Sequence, residues 1–190
     1  MADLGTSLPD FDLPNTHPSK GGARVSRADV AGRPVVVVFT CNHCPYAVAV
    51  EPRLIEQARG WIERGVAVVA ISSNDAEAYP EDSPEKMAER AGRLDYPFPY
   101  LYDASQDVAR AFDAACTPDF FLFDAHGALV YRGRLDDGRP ARSHTPAAHV
   151  TTRDLDTAIG QLLDGGEVTV EQSPSLGCNI KWKEGWRNVG

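Results

Sequence analysis

Two unbroken apolar runs in the first half of the chain predict buried β-strands. Val35–Phe39 consists of four valines and a phenylalanine, and residues 66–71 are all Val, Ala or Ile. Neither run alternates with polar residues, which is typical of strands covered on both faces, as in a parallel sheet. The segment between them carries apolar residues at helical spacing: Val50, Leu54, Ala58 and Trp61. This strand–helix–strand order predicts a right-handed crossover between two parallel strands.

A β-hairpin and further helices are predicted along the rest of the chain. Residues 120–123 and 129–132 are apolar runs on either side of the turn sequence Asp-Ala-His-Gly, which is typical of a hairpin. The segment 96–102 is too rich in proline for a central strand and favours an edge strand. Helical patterns occupy three more segments: about 84–92, 106–112 and 152–163. Together these elements predict the α/β class.

The two ends of the chain are predicted to extend this domain. Residues 1–33 are rich in Pro, Gly and short polar residues, and they predict an irregular or short-stranded arm anchored by Phe11 and Leu13. A Gly-Gly pair ends the last helix, so we assign residues 1–165 to the domain and 166–190 to a C-terminal tail. The domain pattern does not require this tail.

Composition and charge narrow the class of protein. A chain of 190 residues suits one domain, and its 43% hydrophobic and 24% charged residues are ordinarily globular. The formal net charge of −8 argues against nucleic-acid or anionic-membrane partners. Neither a membrane-spanning run nor a signal peptide is evident, so we expect a soluble, cytoplasmic protein. Four cysteines in a reducing compartment indicate catalysis, metal binding or inert burial.

Cys41 and Cys44 carry the clearest chemical signal. They follow the first buried strand and begin a predicted helix, where free backbone N–H groups and the helix dipole stabilise an anion. A thiolate is the form that attacks a disulfide, and two intervening residues place the sulfurs within bridging distance. We predict that Cys41, as the more exposed, is the nucleophile and that Cys44 resolves the mixed disulfide. A buried, inert pair is the alternative.

His43 lies between the two cysteines and is a candidate tuning residue. A protonated ring adds positive charge, and in either state the ring can donate a hydrogen bond toward the Cys41 thiolate, which lowers the thiol pKa. This predicts a more oxidising couple than one with an apolar residue or proline at this position. The alternative is an exposed, uninvolved residue at the start of the helix.

Thr117 and Pro118 form the second element of the candidate site. They stand immediately before the predicted hairpin, where a proline is a candidate for a cis peptide bond or an ordinary trans turn residue. A cis bond would leave the Thr117 backbone free to pair with an extended substrate segment beside the dithiol.

In this order the motifs resemble the thioredoxin fold, and most closely its peroxiredoxin-like branch, the alkyl hydroperoxide reductase/thiol-specific antioxidant (redoxin) group. Residues 73–102 resemble the insertion that this branch carries. The resemblance implies a three-layer α/β fold, thiol–disulfide exchange by Cys41 and Cys44, and a cis Pro118, with no cofactor or resident metal. The likeness is carried by the segments 5–13, 39–45, 116–122, 131–137 and 174–178.

The chain departs from true peroxiredoxins, which carry Pro-x-x-x-Thr/Ser-x-x-Cys. If the pattern ends at Cys44, Val37 stands at the Pro position and Cys41 at the Thr position. If it ends at Cys41, Pro34 fits but Val38 stands where the hydroxyl is needed. The sequence therefore lacks the expected peroxidase triad in either register.

The chain also departs from thioredoxin, in which a buried acid accepts a proton. Val35 stands at that position, and Thr40 replaces the Trp that usually precedes the first cysteine. The acceptor of the Cys44 proton stays open among Asp75, Asp119 and water.

Two further cysteines have two interpretations each. Cys116 is a third redox thiol or, as we favour, a small core residue. Cys178 is inert or, if the tail folds back over the domain, a resolving or regulatory thiol. The arginines of the predicted hairpin are expected in solvent or in pairs with the acids that follow: Arg132 and Arg134 with Asp136 and Asp137.

The leading hypothesis is a thiol–disulfide oxidoreductase, with an antioxidant role, that acts on protein or small-molecule disulfides. Its electron donor would be a dithiol or a thioredoxin-type protein. A thiol peroxidase with a non-standard site is one alternative. A different class is a module for Cu(I) or another soft metal, in which Cys41, His43 and Cys44 are completed by His149 or Cys178. The sequence leaves the oligomeric state open.

Overall fold

The structure, a computed structural model, describes residues 3–138 and 149–184. Among these residues no helix combines the length and the apolar character that crossing a bilayer requires. The strands are β1 (Asp12–Pro14), β2 (Arg24–Ser26), β3 (Val35–Phe39), β4 (Ala67–Ser72), β5 (Tyr100–Tyr102), β6 (Cys116–Thr117), β7 (Asp119–Phe123), β8 (Leu129–Gly133) and β9 (Cys178–Asn179). The helices are α1 (Arg27–Val30), α2 (Pro45–Glu63), α3 (Pro84–Arg93), α4 (Asp107–Ala111) and α5 (Asp154–Leu163), with a 3-10 turn over Pro80–Asp82.

Five strands form the central sheet in the order β5-β4-β3-β7-β8. β3 pairs in parallel with β4, and α2 connects the two, so the predicted crossover unit is confirmed. β7 and β8 form the predicted antiparallel hairpin, and β7 also pairs with β3. β5 lies at the edge of the sheet beside β4, as the prolines around it indicated.

The unbroken valine run of β3 is explained by two cores, one on each face of the sheet. Val35, Val37 and Phe39 enter a cluster with residues of α4 and the N-terminal arm. Val36 and Val38 enter a second cluster with residues of α2, α3 and α5. Because successive side chains of a strand point to opposite faces, both sets must be apolar. The predicted three-layer α/β arrangement is therefore confirmed.

The N-terminal arm is short-stranded and packs on the domain, as predicted. β1 and β2 pair antiparallel, and Phe11 and Leu13 are buried in the same core as β3. The C-terminal tail also packs on this core, since Ile180 is buried in it and Trp182 lies against it. Trp186 lies outside the described residues.

The prediction that Arg132 and Arg134 are exposed to solvent at the end of their strand, or pair with the acids that follow, is wrong. Arg132 is buried, its Nη2 donates to Asp119 Oδ2 at 3.0 Å, and its guanidinium lies 4.6 Å from the centre of the Phe121 ring. Arg134 forms an ion pair with Asp154 at 2.5 Å rather than with the two acids that follow β8. The tail runs along β8, where the Arg132 N–H donates to Gln172 Oε1 at 2.7 Å, and a buried charge requires a charged or hydrogen-bonding partner.

We expect the α5 side of the second core to determine stability. Leu155→Ala removes a side chain that is 0% exposed, so the free energy of unfolding should fall by about 2–5 kcal/mol. Ile62→Ala is the control, because Ile62 is 37% exposed and its loss should change stability by about 0.5 kcal/mol or less. Urea unfolding followed by circular dichroism measures both, and equal losses would contradict this assignment of the core.

Candidate active site

The dithiol loop, residues 41–44, connects β3 to α2. Cys44 is the N-cap residue of α2 and Pro45 is its first residue, so the helix begins after both cysteines rather than at Cys41, where the sequence predicted its start. The Cys44 carbonyl accepts the first helical hydrogen bond, from the Val48 N–H at 2.9 Å. All four cysteines are free thiols. Cys41 is the more exposed of the pair, but both are buried, at 4% and 1% exposure.

Thr117 holds both sulfurs of the dithiol loop. Its Oγ1 lies 3.4 Å from Cys41 Sγ, and its carbonyl oxygen accepts a hydrogen bond from Cys44 Sγ at 3.0 Å. The Thr117–Pro118 peptide bond is cis. The structure thus brings together Cys41, Cys44, Thr117 and Pro118, although 76 residues separate Cys41 from Thr117.

Asn42, the first residue between the cysteines, is fixed by four hydrogen bonds. Its N–H donates to Asp82 Oδ1 at 2.7 Å, and its Nδ2 donates to the Glu81 carbonyl at 2.8 Å. It accepts from the Tyr100 hydroxyl at 3.1 Å through Oδ1 and from Arg90 Nη1 at 3.3 Å through its carbonyl. These contacts satisfy the polar atoms of the loop and fix its path between the sulfurs.

A largely buried ion pair between Arg90 and Glu51 supports the hydrogen bond from Arg90 to the Asn42 carbonyl. Arg90 donates to both carboxylate oxygens of Glu51 on α2, each at 2.7 Å, and the Tyr96 hydroxyl donates to the same carboxylate. This hydrogen bonding with Glu51 raises the Arg90 pKa, so the guanidinium stays charged. A bidentate pair has a defined geometry, and it ties α2 and α3 to the dithiol loop.

His43 contacts a carboxylate rather than the Cys41 sulfur, so the expected hydrogen bond to Cys41 is wrong. Its Nδ1 lies 2.6 Å from Asp82 Oδ2, and its ring stacks on Tyr79 with 5.2 Å between centres and 2° between planes. The His43 side chain is 25% exposed, whereas Asp82 is fully buried. The interpretation of His43 as an uninvolved surface residue is therefore also wrong.

The two thiols of the loop share one proton. Hydrogen bonding from Cys41 lowers the pKa of Cys44 to about 4, with help from the Ala47 N–H. The same interaction raises the pKa of Cys41, and burial and the charge of Asp82 act in the same direction. The sequence assigned the lowered pKa to Cys41, and this assignment stays a prediction. In such a coupled pair, the first ionisation belongs to the two sulfurs together.

Neither acid proposed as proton acceptor contacts the Cys44 sulfur. Asp119 accepts from Arg132 Nη2 at 3.0 Å, and burial raises its pKa. Asp75 accepts from the Glu77 N–H at 3.1 Å, within its own loop. The carboxylate that contacts the dithiol loop is Asp82, which accepts hydrogen bonds from the Asn42 N–H and the His43 ring.

Cys116 and Cys178 lie on paired strands beside the site. Cys116 is half-buried rather than in the core, its Sγ donates to the Pro118 carbonyl at 3.5 Å, and burial raises its pKa to about 12. Cys178 packs against the cluster formed by Cys41, Cys44 and Ala47. The expectation of a free Thr117 backbone is wrong, because β9 of the tail pairs with β6 there.

Within the described ranges, one group of side chains brings three metal-ligand atoms together. The ligand atoms of Cys41, His43 and Asp82 lie within 4.8 Å of one another. This group lacks Cys44, which the sequence placed with Cys41 and His43, and also lacks His149 and Cys178. The Asp82 oxygens already accept three hydrogen bonds, from Asn42, His43 and Asn74. Its carboxylate therefore orders the loop, and no observation favours a metal module.

A dithiol at the start of a helix, beside a cis proline and a central mixed sheet, defines a thioredoxin-like protein. The chain belongs to the AhpC/TSA family, whose family model matches residues 4–132. The resemblance drawn from the sequence motifs is thereby confirmed.

The chain is also similar to individual proteins. It is 27% identical over 126 residues to the thiol-disulfide oxidoreductase ResA of Geobacillus kaustophilus, a match that spans 66% of each protein, slightly less than two thirds. A conserved protein of Geobacillus kaustophilus with a crystal structure is 48% identical, with a TM-score of 0.89 over 97% of this chain and 94% of that one. A secreted disulfide oxidoreductase of Mycobacterium tuberculosis shares the fold, with 22% identity and a TM-score of 0.52 over 63% of this chain and 79% of that one.

Sequence reasoning missed the polar residues that order the dithiol loop. Asp82 is one of four acids in the polar stretch of residues 72–84, and nothing in the spacing distinguishes it from the other three. Its position depends on the 3-10 turn that directs its side chain inward. Glu51 is easier to identify from the sequence than Asp82. It lies on the apolar face of a helix, where a charged residue requires a buried partner.

The shared proton predicts that each sulfur of the pair depends on the other for its charge. The reduced wild-type protein should show one thiolate per chain at pH 7 by absorbance at 240 nm, because the first pKa lies near 4. Cys41→Ser and Cys44→Ser should each lose most of this absorbance. Cys116→Ser is the control and should keep it, because the Cys116 pKa is raised to about 12. Retention of the thiolate in Cys44→Ser would show that Cys41 ionises alone.

Proposed function

We propose that this protein is a thiol–disulfide oxidoreductase in which Cys41 and Cys44 are the redox pair. The observation that carries the proposal is the pair of reduced sulfurs held by Thr117, at 3.4 and 3.0 Å, with one lowered pKa between them. A thiolate with a second thiol beside it is the arrangement that thiol–disulfide exchange requires. The similarity to ResA supports the same chemistry.

Exchange takes place in two displacements. The Cys41 thiolate attacks one sulfur of a substrate disulfide, which forms a mixed disulfide and releases the first substrate thiolate. Cys44 then attacks the Cys41 sulfur, and the second substrate thiolate leaves as the Cys41–Cys44 disulfide forms. The one proton of the dithiol passes to one released thiolate, and solvent protonates the other. A dithiol or thioredoxin-type donor restores the reduced protein by the reverse steps.

The hydrogen bonds of the site allow Cys41 to attack although Cys44 has the lower pKa. When the proton moves from Cys41 to Cys44, the charge moves to Cys41, which lies nearer the surface. The protonated Cys44 then donates to the Thr117 carbonyl, 3.0 Å away, and the Thr117 hydroxyl can donate to Cys41. Thr117 therefore supports the arrangement in which Cys41 is the nucleophile.

Direct peroxide reduction has less support. The family pattern places a hydroxyl three residues before the reactive cysteine, and this position is Val38 for Cys41 and Cys41 itself for Cys44. The Val38 side chain is fully buried in the core on one face of β3. We accordingly place the antioxidant role in disulfide reduction. Cytoplasmic disulfides of proteins or small molecules are the substrates that we propose.

The proposed roles predict opposite outcomes for the two cysteines. Cys41→Ser should lower the rate of insulin disulfide reduction by dithiothreitol by about a hundredfold or more, because the attacking sulfur is gone. Cys44→Ser should instead accumulate mixed disulfides with substrate, which non-reducing gel electrophoresis detects. Cys116→Ser is the matched control and should keep most of the activity. Full activity in Cys41→Ser would contradict the assignment.

Substitutions of His43 and of Asp82 should shift the reduction potential of the dithiol in opposite directions. His43→Ala leaves the Asp82 charge without its partner, which destabilises the thiolate and makes the couple more reducing. Asp82→Asn removes a charge that raises the Cys41 pKa, so the couple should become more oxidising. We expect changes on the order of 10–30 mV, because a tenfold change in the equilibrium constant is about 30 mV.

Equilibration with glutathione buffers measures these potentials, and thermal unfolding checks that each variant is folded. Glu77→Gln is the control, because Glu77 is an exposed acid of the same segment and its removal should leave the potential unchanged. Shifts of the same sign in His43→Ala and Asp82→Asn would show that the interaction between His43 and Asp82 does not determine the potential.

A further inference from the structure

The C-terminal tail occupies the backbone edge beside the dithiol. β9 pairs antiparallel with β6, in a register that places Cys178 opposite Thr117 and Asn179 opposite Cys116. An extended peptide substrate would need this same edge to lie beside the sulfurs. A segment of the chain itself therefore takes the position of a substrate strand.

Gly177 shows how closely the tail approaches the cis peptide. A Cβ atom at this position would lie 2.2 Å from the Thr117 carbonyl oxygen and 3.1 Å from the Pro118 nitrogen. These are backbone atoms that cannot turn away, so a side chain here would displace the tail. The absence of a side chain at residue 177 is thus a requirement of the closed arrangement.

The tail is anchored on both sides of Cys178. Before it, the Ser175 hydroxyl donates to the Gly133 carbonyl at 2.7 Å. After it, Ile180 is buried in the core, and the Lys181 N–H donates to Asn74 Oδ1 at 2.9 Å. These anchors fix the path of the tail across the site.

The Cys178 thiol is directed at the dithiol. It packs against the buried cluster of Cys41, Cys44 and Ala47 and is itself half-buried. Hydrogen bonding between Cys178 and Cys44 helps to lower the pKa of Cys44, and burial followed by this interaction raises the pKa of Cys178 to about 11. Three sulfurs therefore lie together, and the Cys44 sulfur interacts with those of both Cys41 and Cys178.

We propose that Cys178 is a third exchange thiol of this site, which forms a disulfide with Cys44 and fixes the tail over the dithiol. The inference rests on the proposed function, since a substrate disulfide must first oxidise Cys41 and Cys44. The Cys178 thiolate then attacks Cys44, the Cys44–Cys178 bond forms, and the Cys41–Cys44 bond breaks. Cys41 leaves as a thiolate and takes up the proton that Cys178 released, so no further oxidant is needed.

This step changes what the oxidised protein presents to its surroundings. Cys41 regains a free thiol while the chain keeps one disulfide, and the tail becomes covalently attached along the substrate edge. An electron donor must then reduce Cys44–Cys178 rather than Cys41–Cys44.

Disulfide mapping of the full-length chain tests the inference. The reduced protein is oxidised with limiting oxidised glutathione, quenched with acid, alkylated and analysed by mass spectrometry. We expect Cys44–Cys178 within about tenfold of Cys41–Cys44, because exchange within one chain has no net redox cost. In these chains Cys41 should carry the alkyl group. Exclusive formation of Cys41–Cys44 would overturn the inference and leave the proposed function intact, whereas failure to form either would count against both.

A variant without a cysteine change separates tail position from thiol chemistry. Gly177→Ala should displace the tail, so Cys44–Cys178 should fall at least about tenfold while Cys41–Cys44 still forms. Gly60→Ala is the matched control, because no atom lies within 4 Å of the added methyl group. An unchanged Cys44–Cys178 fraction in Gly177→Ala would contradict the requirement for the paired strand.

A second pair of variants tests Cys178 as the attacking thiol. In Cys41→Ser, oxidised glutathione should add to Cys44, and Cys178 should then displace glutathione to leave a Cys44–Cys178 disulfide. In Cys41→Ser/Cys178→Ser, the glutathione should remain attached, which the intact mass reports. Persistent glutathione on Cys44 in the single variant would show that Cys178 does not reach it.

Discussion

The contacts of Thr117 are the constraint on which the site depends. Its hydroxyl meets one sulfur and its carbonyl the other, while its backbone pairs with the tail at Cys178. The cis bond to Pro118 follows it directly. Because these groups belong to one residue, a shift of the Thr117 backbone changes the proton balance of the dithiol and the position of the tail together. The geometry of this residue therefore couples the chemistry of the site to its access.

A polar network maintains that geometry from the opposite side. Four atoms of Asn42 form hydrogen bonds. Asp82 accepts one of them, from the Asn42 N–H, and also binds the His43 ring. Asp82 is fully buried, so its charge is tolerated only because three donors satisfy its oxygens. The same charge raises the Cys41 pKa, which opposes thiolate formation. The network thus orders the dithiol loop at an electrostatic cost that the His43 ring can offset.

Sequence patterns predicted the elements of the fold because these depend on local periodicity. The valine run of β3, the hairpin and the first residues of α2 are each encoded by neighbouring residues. The partners of the site depend instead on long-range placement. Asp82 is one acid among four in a polar segment, and the Arg132 side chain is buried against Asp113, Asp119 and Phe121, which are distant in sequence. For Cys178, the sequence offered two interpretations, because no local pattern indicates where a tail will pair.

The energetics of the tail define how the site can open. The β6–β9 pairing involves only two residues of each strand, and each backbone hydrogen bond contributes about 1 kcal/mol of net stability. The anchors beyond it are stronger, since Ile180 is buried and Trp182 packs on the core. Peeling the segment around Gly177 away therefore costs less than releasing the whole tail. Such local opening frees the Thr117 edge beside the dithiol while the residues after Cys178 stay in place, so the third thiol returns to Cys44 when the edge closes.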